Sequence, residues 1–562
     1  MRKFLKITAI VLAVLILVPA LTCVLLYHSA MRHNFGAPEL SVSLSDYPQV
    51  EWTDSVRICG DNFLLLGPDG LWEGRVEGTA ADRGAVLGMM ARDLLQYQER
   101  VFVDQIHRLI PSERYVRFLH RMIAIFNRKM ARYIPTEYLE EIYAMSLSCS
   151  HEYDDYGTPF GRQINYHAAH DIGHTMQEYM LVGCSSFAVW DGESAAGGLL
   201  VGRNFDFYVG DGFAENKIVL FVRPDSGYRY ASVTWPGMAG VVSGMNECGL
   251  TVTINAAKGA IPTSSAMPIS LLARHILQYA ATIDEAFALA EDCRTFVSES
   301  LLIGSARDGR AAIIEKTPDE THLFVSDTTR IVCTNHYQSD AYAKNKYNIE
   351  NIALSDSRYR HERLEELISQ AVPLDAQGAA AVLRDRRGLG GADIGLANEK
   401  SINQFIAHHS VIFEPDRLRM WVSTAPWQCG AYLCYDLEKV FAAETLQGLA
   451  TVSDGRIPAD STALGQDVPR VLEHRRMTAE LQKAIDEKSE LADGFIDRYI
   501  ANNPEHYYVY ALAGDYRQMR GETAAALLCW KKALAREIPY MSERNKIEKK
   551  ISRYDKKQRT AL

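Results

Sequence analysis

The chain has 562 residues, of which 47% are hydrophobic, enough for several domains with buried cores and too apolar for a disordered chain. A formal charge of -10, with 60 basic and 70 acidic residues interspersed, supplies no bulk positive field, so nucleic acid is not an expected partner. Ten cysteines without a CxxC pair give no metal or redox framework, and Cys429 and Cys434, the closest pair, read as core thiols.

Arg2, Lys3 and Lys6 precede Ile7 to Tyr27, a run with no charged residue and long enough to span a bilayer. Bulky Leu25-Leu26-Tyr27 before Ser29-Ala30 argues for an uncleaved anchor over a signal peptide, so residues 1–27 are expected to be a transmembrane anchor or signal segment. The basic N-terminus predicts that the remainder is extracytoplasmic. The absence of any Asn-x-Ser/Thr sequon favours a bacterial envelope. Residues 28–70, with scattered Pro, Asp and Ser, read as a linker, with short strands possible at 56–58 and 63–66. Helical spacing from Ala81, through Tyr115 to Tyr133 and from Tyr138 to Leu147, makes 71–183 a mainly helical leader. Within it His167, His170 and His174 stand on one helical face with Asp171. That spacing alone is weaker than a zinc motif, so a place near the substrate is expected and no metal.

The texture then changes. Gly183-Cys184-Ser185-Ser186-Phe187 and Leu199-Leu200-Val201-Gly202-Arg203-Asn204-Phe205-Asp206 read as two strands joined through Asp191-Gly192 and Gly197-Gly198. Antiparallel pairing carries Arg203 and Asp206 back towards Cys184. A guanidinium lowers a thiol's pKa, but no histidine base lies in either strand. Cleavage of the Gly183–Cys184 bond would supply one, since an α-amine titrates at about 7.7 to 8.0. Strand patterns recur from 217 to 255 and from 301 to 334, around helices at 268–279 and 283–293. A helix at 355–369 and closing strands at 409–413, 418–423 and 431–435 follow, which suits antiparallel sheets with helices outside. Beyond 465 the pattern is helical, and 507–535 resembles a single tetratricopeptide-type helix pair before Pro539.

Gly183-Cys184-Ser185-Ser186-Phe187 with Gly202-Arg203-Asn204-Phe205-Asp206 resembles the autoproteolytic N-terminal-nucleophile (Ntn) cysteine hydrolases. It resembles especially the acyl-CoA:6-aminopenicillanate acyltransferase family and its relatives, the choloylglycine hydrolases and acid ceramidases. Gly244-Met245-Asn246-Glu247-Cys248-Gly249-Leu250 leading to Asn255, Cys333-Thr334-Asn335, and Ser357-Arg358-Tyr359 follow in that family's order. The resemblance covers about 70 to 440. It implies an α+β, four-layer αββα sandwich with the catalytic domain at 184–440 and a C-terminal helical appendage at 465–562. It implies a Cys184 nucleophile held by Arg203 and Asp206, an oxyanion-stabilising Asn255, Asn335 at the nucleophile's amine or the substrate, and Arg358 supporting Asp206 or the substrate. The implied reaction is hydrolysis of a small N-acyl amide after self-cleavage between Gly183 and Cys184, without a cofactor. Transfer of the acyl group to an amine, or a non-catalytic binding module contacting proteins through the C-terminal helices, are the alternatives.

Overall fold

In the computed structural model, residues 2–32, 37–40, 42–175, 181–444 and 450–561 are described. The chain is α+β, with two large sheets. One has eleven strands, running spatially from Glu51–Trp52 through Trp72–Gly78, Ile218–Pro224 and Leu250–Ala256 to Thr321–Phe324. The other has eight and runs Arg330–Cys333, Ser185–Val189, Leu200–Tyr208, Ala407–Glu414, Arg419–Ser423, Tyr432–Asp436 and Thr451–Ile457, with Leu181–Val182 added to the Leu200–Tyr208 strand.

Strand alternation explains how both faces of the smaller sheet are buried. Val201, Val411, Phe413 and Val422 point inward and meet Val219, Phe221, Leu302 and Ile313 of the larger sheet. Their neighbours Leu200, Ile412 and Trp421 point outward, against Leu364 and Ile368 of the Ser357–Ala371 helix and Leu383 at the end of Ala376–Leu383. On the other side of the molecule the Ala80–Met90, Thr136–Ser146 and Ile269–Tyr279 helices contribute to one core with Leu64, Val252 and Ile303 of the larger sheet. Thr79 caps the first of these through a reciprocal capping box with Asp82. Gly84 lets that helix lie directly on Thr136–Ser146, because a Cβ there would sit 2.1 Å from the Glu141 carbonyl oxygen. Glu141 in turn binds the buried guanidiniums of Arg83 and Arg274, at 2.9 and 2.6 Å.

Two segments add strands to the sequence reading. The stretch expected as a linker supplies Glu51–Trp52, together with Val56–Cys59 and Asn62–Leu66 where short strands were expected, to the edge of the larger sheet. The leader expected to be mainly helical opens with Trp72–Gly78, which pairs in parallel with Ile218–Pro224. Segments on either side of the expected cleavage point thus share one sheet, and cutting the chain would not separate them.

The Arg2–Arg32 helix contains an apolar span, Val11–Ser29, long enough to cross a membrane, with none of it buried against the protein. The C-terminal helices Val468–Glu487, Phe495–Asn502, Tyr507–Met519, Thr523–Leu534 and Met541–Ala561 surround their own core, centred on Leu481, Tyr499, Val509 and Trp530.

Candidate active site

Gly183 and Cys184 join the Leu181–Val182 strand to the Ser185–Val189 strand. Val182 faces Phe207 and Ser185 faces Asn204 across the same partner strand, so the antiparallel register carries across the Gly183–Cys184 bond. The Gly183 amide donates to the Asp206 carbonyl at 3.1 Å, which fixes that bond in an extended strand.

Alternation places Cys184, Ser186, Arg203 and Phe205 on the face between the sheets. The Cys184 thiol is 1% exposed and receives a hydrogen bond from Arg203 Nη2 at 3.6 Å. The other Arg203 Nη hydrogens go to the carbonyls of Val242 and Ile254, each at 2.5 Å, and to Ser243 Oγ. The guanidinium is therefore locked to the larger sheet and aimed at the sulfur. Burial pushes the thiol up and Arg203 pulls it down, with burial the stronger. Behind Arg203, Ser243 Oγ lies 2.8 Å from His409 Nε2, and the two rings of His408 and His409 meet Nδ1 to Nδ1 at 2.9 Å. A register shift between Ala407 and His409 brings these consecutive histidines together.

Asp206, an odd number of positions from Arg203, turns to the opposite face. Its carboxylate is fully buried and neither oxygen has a hydrogen-bond partner among the described residues. Burial raises it to about 8, against the opposing charges of Arg360 and Arg203. Asp206 is thus a buried carboxyl with no cation hydrogen-bonded to it among the described residues.

Asn255 projects between the sheets. Its Oδ1 accepts from Ser186 Oγ at 3.0 Å and its Nδ2 donates to the Cys333 carbonyl at 3.0 Å. Asn335 spans the gap from the Leu250–Ala256 strand to the Ser357–Ala371 helix, donating to the Ala256 carbonyl at 2.8 Å and accepting from Arg360 Nη2 at 2.6 Å. Arg358 is not brought to this place. Its side chain is 65% exposed and pairs with Glu362 along the helix surface. Arg360 occupies the position expected of it, 0% exposed, bonded to Asp356 at 2.8 Å, to the Cys184 carbonyl at 2.7 Å and to Ser185 Oγ at 3.0 Å. The sequence carried the signal: Arg360, Leu364 and Ile368 share one buried helical stripe, whereas Arg358 falls on the face with Glu362.

His167 is a satisfied core histidine. Its Nδ1–H donates to the Gln163 carbonyl at 2.8 Å and its Nε2 accepts from the Ala239 amide at 2.9 Å. The side chains of His170 and His174 lie outside the described residues, and no cluster of metal-ligating side chains occurs among those described.

Residues 190–425 match the family described as Acyl-coenzyme A:6-aminopenicillanic acid acyl-transferase. That stretch holds Arg203, Asp206, Asn255, Asn335 and Arg360 and begins just beyond Cys184. A protein of Archaeoglobus fulgidus, described as uncharacterized, is 25% identical over 336 residues, which are 53% of this chain and 54% of that protein. The chain thus spans about half the length of this relative. Among solved structures, similarity is found to a Caenorhabditis elegans N-acylethanolamine-hydrolyzing acid amidase ortholog, at 16% identity over 42% of this chain and 93% of that one, with a TM-score of 0.32. Penicillin V acylase from Agrobacterium tumefaciens gives 16% identity over 46% and 87%, with a TM-score of 0.31. A conjugated bile acid hydrolase mutant from Clostridium perfringens gives 11% identity over 48% and 96%, with a TM-score of 0.32.

Proposed function

We propose that this chain, whose residues 190–425 are of the acyl-CoA:6-aminopenicillanate acyltransferase family and which is an enzyme of the Ntn hydrolase or acyltransferase kind, is a self-activating cysteine amidohydrolase. The observation that carries this reading is the Cys184 thiol under the Arg203 guanidinium at 3.6 Å, one bond from a peptide held in register on both sides.

In the first step Cys184 Sγ attacks the Gly183 carbonyl carbon, the bond from that carbon to the Cys184 nitrogen breaks, and the thiol proton passes to the departing amine. Water then hydrolyses the thioester, leaving a carboxylate on Gly183 and restoring the thiol. The freed α-amine is now the base. It takes the thiol's proton as sulfur attacks the acyl carbon of a substrate amide, returns it to the leaving amine, and activates the water that clears the acyl-enzyme. Arg203 stabilises the thiolate, Asp206 pairs with the new ammonium, and Asn255 and Asn335 hold the reacting carbonyl and the amine. Arg360, which stands in the site where Arg358 was expected, keeps the Cys184 backbone in place.

The substrate is a small N-acyl amide with an apolar acyl part. A cavity of about 510 Å³ lined by Phe102, Ile106, Ile110, Leu119 and Ile123 supports this. It shares Phe102, Tyr166 and Ala169 with a smaller cavity bounded by Phe207 and Trp235, within the core that includes Cys184. The layered sheets and outer helices are the αββα sandwich of this class. Residues 184–440 form the catalytic domain and 71–183 the small subunit. The N-terminal helix anchors the enzyme outside a bacterial inner membrane, and 465–562 form a TPR-like appendage.

The test is the intact mass of purified protein. Two fragments, the larger starting at Cys184, are expected from the wild type and one chain from Cys184→Ala. Full amidase activity in an uncut wild-type chain overturns the mechanism.

A further inference from the structure

Gln404 lies within the loop that leads into the Ala407–Glu414 strand. Its side chain is 3% exposed, yet Nε2 has no hydrogen-bond partner among the described residues. A buried donor left without a partner destabilises the fold, so its retention needs an explanation. The neighbour it does have is Gly183: a Cβ built on that glycine would lie 2.8 Å from Gln404 Nε2 and 3.3 Å from Oε1. The carboxamide therefore packs against the α-carbon of the residue whose carbonyl Cys184 would attack. The carbonyl oxygen lies two bonds beyond that α-carbon, and the carboxamide is free to turn about its own terminal torsions. Gly183 is the residue that leaves this space open.

The loop is fixed in place on both sides of Gln404. The Asn403 amide donates to the Asp385 carbonyl at 2.7 Å, and Asn403 Oδ1 accepts from the Phe405 amide at 3.0 Å. The Phe405 carbonyl accepts from Arg475 of the Val468–Glu487 helix at 2.6 Å. Phe405 itself has φ 56°, in the left-handed region that an aromatic residue adopts only when its surroundings impose it. Asn255, the donor expected from the sequence, already directs Nδ2 at the Cys333 carbonyl. That bond leaves Asn255 one hydrogen for a substrate carbonyl, whereas Gln404 Nε2 has both of its own uncommitted.

We propose that Gln404 Nε2–H is a catalytic oxyanion donor for self-cleavage, a role that rests on the reading of Cys184 given above. As the Sγ–C bond forms, the Gly183 carbonyl oxygen takes negative charge and Gln404 donates to it. When the bond from that carbon to the Cys184 nitrogen breaks and the thiol proton goes to the amine, the oxygen returns to a carbonyl. The donor is neither consumed nor deprotonated. Loss of one such donor typically slows a reaction by about 10²- to 10³-fold.

The experiment follows the fraction of full-length chains cut at 183/184 against time after cell-free synthesis, by intact mass. Wild type, Gln404→Met and Gln404→Glu are compared, neither variant offering an amide donor at neutral pH. Melting of Cys184→Ala is compared with melting of Cys184→Ala/Gln404→Met, both uncut. Cleavage slowed by about 10²- to 10³-fold in both Gln404 variants, with the two uncut chains melting alike, is expected. Cleavage of Gln404→Met at the wild-type rate overturns the donor role and leaves the Cys184 mechanism standing. An uncut wild type overturns both. A double variant that melts far below Cys184→Ala assigns Gln404 to packing and overturns its catalytic role.

Discussion

The guanidinium of Arg360 donates to the carbonyl of Cys184 at 2.7 Å while holding Asp356 at 2.8 Å and Asn335 at 2.6 Å. One side chain thus joins the helix outside the small sheet to the backbone of the nucleophile and to an asparagine bridging to the large sheet. Removing it leaves Asp356, itself 4% exposed, with a buried and uncompensated charge. Breaking a buried pair in this way typically costs about 3–5 kcal/mol. Arg360→Met is expected to lower stability by that amount and to abolish cleavage at 183/184. Arg358→Met, which loses a surface pair, is expected to stay within about 0.5 kcal/mol of wild type and to cut normally. Urea unfolding of both variants in the Cys184→Ala background, with mass spectrometry in the wild-type background, decides it. Equal effects of the two substitutions would return the role to Arg358.

Asp206 predicts how the uncut chain responds to pH. Its pKa stands near 3.8 when unfolded and about 8 when folded, so between those values the native state binds the extra proton. Stability from this group is full below about pH 4 and is lost as pH rises through about 8. Comparing Cys184→Ala with Cys184→Ala/Asp206→Asn from pH 5 to 8 should show the first losing stability relative to the second as pH increases. A constant difference would mean that Asp206 is ionised before cleavage.

The histidine pair acts in the opposite direction. Burial, reinforced by the neighbouring Lys217 and Arg203 cations, holds His408 and His409 well below 6.5. The unfolded chain therefore takes up protons below about pH 6.5 that the native chain refuses, and stability falls on acidification. His409→Gln, which keeps an acceptor for Ser243, should flatten this acid limb by about one proton while retaining self-cleavage. An unchanged acid limb in thermal melts between pH 4.5 and 7 would show that the pair is already protonated in the fold.

Much of the site was legible because strand pairing is arithmetic. Cys184 at the start of one strand and Arg203 near the end of its hairpin partner must lie close whatever the rest of the fold does. Asp206 was placed on the right strand, but its odd spacing from Arg203 turns it to the other face, and alternation alone could have said so. Choosing Arg360 over Arg358 required reading the buried stripe of the helix rather than the motif. Gln404 was not legible, since its nearness to Gly183 depends on a loop held by Asp385 and by Arg475, both far from it in sequence. Of the edge strands at 51–66, those near 56–58 and 63–66 were legible as short strands, whereas the two-residue Glu51–Trp52 is too short to show a pattern; they form because the Trp72–Gly78 strand offers them an edge.

The last prediction concerns what receives the acyl group. A thioester on Cys184 passes to water unless an acceptor amine is held against it, and an acyl thioester donor with phosphates would need cations free to bind them. Arg203 spends all its Nη hydrogens on Val242, Ser243, Ile254 and Cys184. Arg360 is committed to Asp356, Ser185, Asn335 and the Cys184 carbonyl. Both cations at the nucleophile are used in building the site. Mature enzyme incubated with a panel of N-acyl amides, with and without acceptor amines, is therefore expected to release mainly free acid, with chromatography following acid and new amide together. Predominantly new amide at millimolar acceptor would make the enzyme a transferase and leave the roles of Cys184 and Arg203 unchanged.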